Sequence, residues 1–372
     1  MSKKFQFYDI RIMMKEYPEA YYYLAFGERS DGKTFSSLDY CLERWSKTGE
    51  QFAYIRRWGE DVRKKNLSEL FKNLEEQKRV EFWTAGKWNR IYYGSGKFFL
   101  ETTDEDGRVI RSEDPIGYAF DLNGMEHYKS ISFPRITTIV FDEFISRNGY
   151  LPNEWILFTN TLSTIIRLRT NVKILMLGNT VNKYGCPYFP EMGLTHVKDQ
   201  KPGTIDIYKY GEGNLQVAVE YTGTSEKNGG KPSDVYFAFD NPELKMITTG
   251  AWEMAIYPHL EIKYKPKDVV TDFFIVYEDI TLHGEVVVFN DGAFVFLHPK
   301  TTPIKDEEND IVYTTQPSQK WNFKMCLTKQ RDKLSVFILT CLRENRIFYS
   351  SNEIGEVFRN YVMWSDSFSI KN

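Results

Sequence analysis

An eight-residue segment near the start of the chain, GERSDGKT, has the composition and spacing of a phosphate-binding loop. It fits the pattern GxxxxGK[ST], in which glycines allow backbone N–H groups to wrap a β-phosphate. Lys33 is expected to reach the β- and γ-phosphates, and Thr34 is expected to hold Mg²⁺. The segment therefore predicts a site for ATP and Mg²⁺. The predicted nucleotide-binding residues of this loop are Gly27, Glu28, Arg29, Ser30, Asp31, Gly32, Lys33 and Thr34.

An apolar run, ITTIVF, ends in two adjacent acids, Asp142 and Glu143. In a P-loop ATPase such a pair completes the site, because the first acid joins the Mg²⁺ shell and the second polarises the attacking water. Many strands end in acids, so this pair is informative only in combination with the phosphate loop. The second acid favours hydrolysis of ATP over transfer of its phosphate to another substrate.

Two later polar positions each have two interpretations. Asn179 ends the apolar segment KILMLGN, where it either senses the γ-phosphate or forms a turn. Arg167 belongs to an Arg-Leu-Arg triplet at the end of a helical segment, where a cation stabilises the helix dipole. Alternatively, Arg167 is an arginine finger that enters the site of a neighbouring subunit.

A basic set follows the second apolar segment. In one subunit it is a solvated face, whereas repeated around a ring it would line a pore that tracks DNA phosphates. Its members are Arg56, Arg57, Arg63, Lys64, Lys65, Lys72, Lys78 and Arg79.

The segments that carry these motifs alternate between strand-like and helix-like patterns. Uniformly apolar strands separated by helices indicate a parallel sheet covered on both faces. The predicted strands are residues 21–26, 51–56, 136–144 and 173–179. The predicted helices are residues 33–45, residues 67–80, and a long helix opened by Pro152 and Asn153.

Composition limits the class of protein. The chain has 372 residues, 42% of them hydrophobic and 27% charged, with a net charge of −3. These values exclude a mostly disordered chain and a globally basic DNA coat, and the length favours two domains. Four cysteines without a CxxC pair form neither a disulfide framework nor a zinc ribbon, so reduced cysteines in a cytosolic setting are expected. We expect neither a signal peptide nor a membrane-spanning helix.

The composition changes near residue 222, where TGTSEKNGGKPSD is typical of a linker. A strand-rich region follows it. We therefore predict an ATPase domain over residues 1–222, a linker or lid over 223–257, and a second domain over 258–372.

The chain resembles the DNA-packaging motor ATPases of φ29-like tailed phages, which are relatives of large terminase subunits. The shared features keep the family's order and similar spacing, and beyond the last of them the match is weak. They are the arginine inside the phosphate loop (Arg29), GEQFAYIRR, TTIVFDEF, YLPNE, the Arg-x-Arg after the helix, and PYF. The resemblance implies an α/β P-loop NTPase domain with a parallel sheet, of the ASCE type seen in RecA and FtsK. A linker and a β-rich α+β domain with an RNase H-like, vestigial nuclease fold would follow.

The resemblance also implies a function and partners. It implies a homo-oligomeric ring, usually a pentamer, that docks on the portal of a procapsid and translocates double-stranded DNA with ATP and Mg²⁺. A packaging RNA is a further candidate partner, no membrane is involved, and the expected location is the host cytoplasm during assembly rather than the mature virion. By analogy Arg167 acts in trans, Lys129 reaches across the same interface, and Arg56 pairs with Glu143 to hold it inactive.

This sequence departs from the family in two places. Ser30 and Asp31 replace smaller or apolar residues, and an acid beside the phosphates is expected to point outward. φ29-like phages package unit-length, protein-capped genomes that need no cut, so the resemblance implies a nuclease-inactive second domain that serves in docking. Several acids on or near its strands are not assigned to a catalytic trio. They are Asp272, Glu278, Asp279, Glu285 and Asp291.

Three alternatives stay open. One is a terminase with an active C-terminal nuclease, and a second is a helicase or another nucleic-acid translocase. A third is a non-motor P-loop scaffold, which the presence of Glu143 disfavours.

Overall fold

The computed structural model describes residues 7–128, 130–147, 149–211, 215–223, 252, 255–289, 292–304 and 309–368. The chain divides into two compact units. The first comprises residues up to Val181 and again from Pro187 to Trp252, and the second comprises Asn182–Cys186 and the residues from Glu253 onward. Most of the predicted linker, 223–257, lies outside the described residues, so the domain boundaries stay a prediction.

The first unit alternates strands with helices. Its described helices are α1 (Ile10–Glu16), α2 (Lys33–Thr48), α3 (Lys64–Leu67), α4 (Lys72–Glu76), α5 (Arg79–Trp83), α6 (Glu154–Ile166) and α7 (Tyr188–Glu191), with a 3₁₀ turn at Met125–Tyr128. Its strands are β1 (Tyr22–Gly27), β2 (Gln51–Arg56), β3 (Arg90–Gly94), β4 (Lys97–Thr103), β5 (Val109–Arg111), β6 (Gly117–Asp121), β7 (Ile136–Asp142), β8 (Lys173–Asn179), β9 (Thr204–Tyr210) and β10 (Leu215–Tyr221).

These ten strands form one sheet with the order β3-β4-β6-β2-β7-β8-β1-β10-β9, and β5 pairs with β4. Six neighbouring strands in the middle of the sheet are parallel, namely β6, β2, β7, β8, β1 and β10. The antiparallel strands lie towards the two edges. β8 lies between β1, which leads into the phosphate loop, and β7, which ends in Asp142. One strand inserted between these two is the order of ASCE P-loop ATPases, so the predicted fold of this unit is confirmed.

The central strands have no hydrophilic face because both sides of the sheet are covered. Every residue of β7 is buried, as are five of the six in both β1 and β2. On one side, apolar residues of α1, α2, α4 and α5 pack with these strands in one core. The absence of alternation therefore predicts the burial correctly.

One predicted helix is wrong. Residues 67–80 form the end of α3, all of α4 and the start of α5 rather than a single helix. Leu67, Phe71 and Leu74 follow a helical stripe, but Val80 does not fall on it. Lys78 takes a positive φ of 57°, and this break turns Val80 into the same core.

The second unit is a mixed sheet with helices on one face. Its elements are β11 (Val269–Tyr277), β12 (Ile280–Phe289), β13 (Gly292–Pro299), β14 (Val312–Thr314), β15 (Phe323–Met325), α8 (Lys333–Arg343), β16 (Ile347–Tyr349) and α9 (Asn352–Ser367), with 3₁₀ turns at Pro266–Asp268 and Leu327–Lys329. The strand order is β15-β14-β11-β12-β13-β16.

The pairing of these strands identifies the fold. β11, β12 and β13 form an antiparallel meander, while β14 is parallel to β11 and β15 is parallel to β14. This is the RNase H-like arrangement, with β16 added beside β13. Apolar residues of α8 and α9 pack on one face of the sheet. The predicted fold of the second domain is therefore confirmed. No helix in the described part of the chain is long and apolar enough to cross a membrane.

Candidate active site

The phosphate loop connects β1 directly to α2, as the motif requires. Gly32 takes a φ of +100° at the start of α2, and Ser30 also has a positive φ. At Gly27 a Cβ atom would lie 2.1 Å from the Thr222 hydroxyl, so only glycine fits there. The loop is thus shaped by backbone conformations and close approaches that larger side chains disfavour.

Lys33 is buried and is held from within the loop. Its ammonium donates hydrogen bonds to the Asp31 carboxylate at 2.8 Å and to the Glu28 carbonyl at 2.6 Å. The other oxygen of Asp31 accepts a hydrogen bond from Thr222 at 2.8 Å. The expectation that Asp31 points outward is therefore wrong. Asp31 is instead a partner for the same lysine charge that a phosphate would use.

Thr34 and Asp142 meet beside the loop. The Thr34 hydroxyl donates to the Asp142 carboxylate at 3.2 Å, and Tyr54 donates to the same carboxylate at 2.8 Å. Burial raises the pKa of Asp142, and the positive charge of Arg56 partly offsets this rise. A hydroxyl and a carboxylate at this separation are hard oxygen donors that suit Mg²⁺, which is bound through one or two such ligands plus phosphates and water.

Glu143 follows Asp142 with a positive φ of 60°. This conformation directs its side chain away from the buried strand, and 56% of the side chain is exposed. The Arg56 guanidinium donates to the Glu143 carboxylate at 2.7 Å and lies 3.8 Å from that of Asp142. The structure thus brings together Lys33, Thr34, Asp142, Glu143 and Arg56 at one end of the parallel sheet.

Asn179 lies at the same end, because the register pairs it with Gly27. Thr180, the next residue, donates through its backbone N–H to the Gly27 carbonyl at 3.1 Å. The position is therefore adjacent to the phosphate loop.

Arg167 lies at the opposite end of the sheet. Its side chain is exposed and donates to the Ile131 carbonyl at 2.9 Å. Arg169, two residues later, donates to the carbonyls of Pro134 and Ile136, where β7 begins. A seven-residue strand is about 23 Å long, so Arg167 lies far from Glu143 of its own chain. Lys129 lies outside the described residues.

Arg57 is a residue of the site that the sequence interpretation placed wrongly. The sequence predicts that Arg57 belongs to a solvated or pore-lining basic set, but only 4% of the residue is exposed. Its Nε donates to Glu154 at 2.8 Å, and its two Nη atoms donate to the carbonyls of Glu143 and Phe144. Tyr188 donates to the same Glu154 at 2.6 Å.

This buried pair positions the candidate water-activating residue. Arg57 bonds the backbone of Glu143 at the point where φ is positive, a conformation that costs energy for a residue with a side chain. Glu154 opens α6 and accepts from both Arg57 and the Leu151 N–H. The end of β7 is thereby tied to the start of α6. The only sequence signal was that Arg57 directly follows an apolar strand.

Comparison with known proteins places the chain in a family. Residues 2–200, more than half of the chain, match the family described as Podovirus DNA encapsidation protein (Gp16). The chain belongs to this family. The resemblance drawn from its motifs is therefore confirmed.

Individual relatives agree with this assignment. A DNA packaging protein of Bacillus phage B103 is 31% identical over 172 residues, which are 45% of this chain and 46% of that protein. The matched part thus spans about half the length of the relative. Among solved structures, the Phi-28 gp11 DNA packaging motor has a TM-score of 0.54 at 17% identity and covers 99% of this chain and 100% of that one. The bacteriophage Phi-29 viral genome packaging motor assembly has a TM-score of 0.53 at 19% identity, covering 95% and 99%. At these identities the likeness concerns the fold.

Arg57→Gln is expected to destabilise the first unit by about 3–5 kcal/mol, because it leaves the buried Glu154 carboxylate without its cation. The measurement is urea unfolding. Lys72→Gln is the matched control, since Lys72 pairs with Glu69 in an exposed ion pair and its loss should cost under about 1 kcal/mol. Equal effects of the two substitutions would show that the Arg57 pair contributes no more than a surface pair.

Glu220 predicts a pH dependence of stability. Burial raises its pKa from 4.5 to about 7, although a hydrogen bond from Tyr8 acts in the opposite direction. Between these values the folded chain holds a proton that the unfolded chain has released. Protonated Glu220 therefore contributes its full stabilisation of the folded chain below about pH 4.5. This contribution to the free energy of unfolding, about 3 kcal/mol, is lost as the pH rises to about 7.

Glu220→Gln should remove this component from urea unfolding measured across pH 4–8. The control Glu76→Gln, at an exposed glutamate of α4, should leave the slope unchanged. A Glu220→Gln protein with the original pH dependence would show that another group is responsible.

Proposed function

We propose that this chain hydrolyses ATP to drive double-stranded viral DNA into a procapsid, as a subunit of a portal-docked ring, with five subunits the expected number. Membership of the encapsidation family supports the packaging role. The observation that carries the enzymatic part is Glu143, whose backbone N–H donates to the Asp142 carboxylate at 3.1 Å and whose side chain is exposed at the same sheet end as the phosphate loop. A protein that only binds nucleotide has no need of this second acid.

Each residue of the proposed site has a role that follows from its position. Lys33 would exchange its Asp31 partner for the β- and γ-phosphates, and Asn179 would contact the γ-phosphate. Thr34 and Asp142 would hold Mg²⁺, which when bound supplies neutralisation of the phosphate oxygens. Glu143 would orient the attacking water and accept its proton.

Arg56 supplies the proposed control of this step. A glutamate bonded to guanidinium cannot polarise water, because the charge-assisted hydrogen bond occupies its carboxylate. The 2.7 Å contact must therefore open before Glu143 can polarise water. Asp61, whose carboxylate lies 3.4 Å from Arg56, offers the guanidinium an alternative partner.

Two observations support a ring. The Glu143 side chain is more than half exposed in a single chain, whereas electrostatic stabilisation works best where water is excluded. Arg167 lies a strand length away from its own Glu143, at an exposed position. In a ring, a neighbouring subunit would cover Glu143, and another would receive Arg167 in its own site. Arg167 is therefore proposed to be a trans-acting finger. Lys129 is proposed to reach across the same interface.

The second unit is proposed to dock the motor rather than cut DNA. The one group of three or more potential metal ligands in the described chain is His283, Glu285 and His298, which is not a carboxylate trio. Asp291 lies outside the described residues. A terminase with an active nuclease and a helicase remain the alternatives, and metal-dependent plasmid cleavage or unwinding of a forked duplex would favour them. Portal and packaging RNA are proposed partners, in the host cytoplasm during assembly.

The proposal predicts ATP hydrolysis that long double-stranded DNA stimulates and that salt suppresses, because phosphate contacts release counterions. The measurement is steady-state phosphate release at low and moderate salt. Lys33→Ala should abolish it. Lys47→Ala, on the same helix but exposed and paired with Glu43, should not change it. Full ATP hydrolysis by Lys33→Ala would disprove the proposed ATPase site. Hydrolysis that DNA does not stimulate would count against the proposal that the chain translocates DNA.

The trans role of Arg167 predicts complementation between two inactive proteins. Arg167→Ala lacks the finger, which is worth about 10³–10⁵ in rate, and Glu143→Gln lacks the base. Rings assembled by co-expression of both should regain part of the activity, since some interfaces combine an intact Glu143 with an intact Arg167. A cis-acting arginine would leave the mixed rings inactive. Leu168→Ala, at the exposed neighbouring residue, is the control for nonspecific damage.

A further inference from the structure

The sheet of the second unit carries a histidine-rich cluster on the face opposite α8 and α9. His283 on β12 and His298 on β13 are directly paired in the register, and Glu285 lies two residues beyond His283. Residues two apart on a strand share a face, so all three side chains project together. Leu282 and Leu297, their neighbours along the strands, face the buried core instead. Three potential ligands are thereby fixed on adjacent strands of one sheet.

The ligand atoms of this cluster are close enough to share an ion. One nitrogen or oxygen from each of His283, Glu285 and His298 lies within 4.8 Å of the other two. His298 Nδ1 lies 3.2 Å from the Pro299 carbonyl, which can only accept, so Nδ1 is the donor. The lone pair of this imidazole is then on Nε2, which lies 3.8 Å from Glu285. A backbone carbonyl that fixes the tautomer of a ligand histidine is a recurrent feature of metal sites.

His283 presents an unsatisfied atom to the same place. Its Nε2 is buried and makes no hydrogen bond to any described residue. Asp272 lies 3.4 Å away, but without hydrogen-bond geometry. Both histidine–carboxylate separations exceed the roughly 2.7–2.9 Å of charge-assisted hydrogen bonds. Ion pairing therefore does not explain the arrangement, and a buried nitrogen without a partner needs another explanation.

The surroundings hold the ligands in place and leave access to them. The ring of His283 stacks on Phe274, and Tyr264 donates a hydrogen bond to Glu285. A cavity of about 450 Å³, lined in part by Tyr264, Asp272 and Glu285, opens beside the cluster. The three ligand side chains are between 17% and 29% exposed. An ion could enter, and water or Asp272 could occupy a fourth position.

We propose that His283, His298 and Glu285 form a binding site for one divalent transition-metal ion, with Zn²⁺ the expected occupant. Two imidazoles and one carboxylate suit zinc, whereas Mg²⁺ and Ca²⁺ take oxygen ligands. The site lies in the second unit and is independent of the proposed ATPase site. Bound metal would link β12 to β13 and, through Glu285 and Tyr264, would secure the segment that precedes β11.

The test is metal binding by the full chain after chelator treatment. Titration with Zn²⁺ against a chromophoric chelator should give one tight site per chain, and Co²⁺ should give the visible absorption of a four-coordinate nitrogen and oxygen site. His298→Ala and Glu285→Gln should each weaken binding at least about 100-fold. Glu285→Gln retains an acceptor for Tyr264, so its fold, checked by circular dichroism, should persist.

His259→Ala is the matched control, because His259 lies in the same unit but contacts Asn352 rather than the cluster. It should bind zinc as the unaltered chain does. Binding that is absent from the unaltered chain, or that survives both cluster substitutions, would overturn the proposal. An equal loss of zinc binding in His259→Ala would also overturn the proposal. ATP hydrolysis is measured separately, and its failure would leave this site untouched.

Discussion

The buried guanidinium of Arg57 is the contact on which the geometry of the candidate active site depends. It connects the backbone beyond β7 with the carboxylate that opens α6, and it reaches both from the residue that follows β2. A charged group so deeply buried is tolerated only when its donors are satisfied. Because its partners come from separate segments, this pair fixes the conformation of Glu143 relative to the sheet. The carboxylate proposed to activate water is thereby presented at the end of the sheet where β1 and β8 also end.

Much of this could be predicted from the sequence, for a physical reason. Strands buried on both faces must be uniformly apolar, and the phosphate loop must join a strand to a helix, so two local patterns locate most of the site. The bounds of β2 and β8 agree with the predicted 51–56 and 173–179. The break at Lys78 was not predictable, because the stripe of apolar residues before it continues a helical pattern. The break depends on tertiary packing, because it allows Val80 to pack in the hydrophobic core.

The residues that sequence reasoning misplaced are those whose roles depend on partners far along the chain. Arg56 and Arg57 are adjacent and chemically identical, yet the first meets acids at the open end of the site and the second is buried against Glu154. Asp31 bonds Lys33, which is a neighbour in sequence, but its other oxygen bonds Thr222, which lies 191 residues further along the chain. The histidine cluster likewise depends on the register of β12 with β13, and a search for cysteine pairs does not detect it. Local pattern predicts elements, but only pairing across elements determines which charges are buried.

The two arginines also differ in what they permit. The N–H groups of Arg57 donate to buried acceptors. Moving Arg57 would leave buried charge without a partner, so its role is to keep the backbone of Glu143 in place. Arg56 has carboxylates at 2.7, 3.4 and 3.8 Å, from Glu143, Asp61 and Asp142. Exchange between such partners changes its energy little, because each lost contact is replaced. A cation on Asp142 would cancel one of these attractions and repel the guanidinium. Occupation of the proposed nucleotide site would therefore itself weaken the contact to Glu143. Arg57 would keep the backbone of Glu143 fixed, while Arg56 could exchange its partners. The Glu143 carboxylate could therefore be released from Arg56 without any movement of the backbone that carries it.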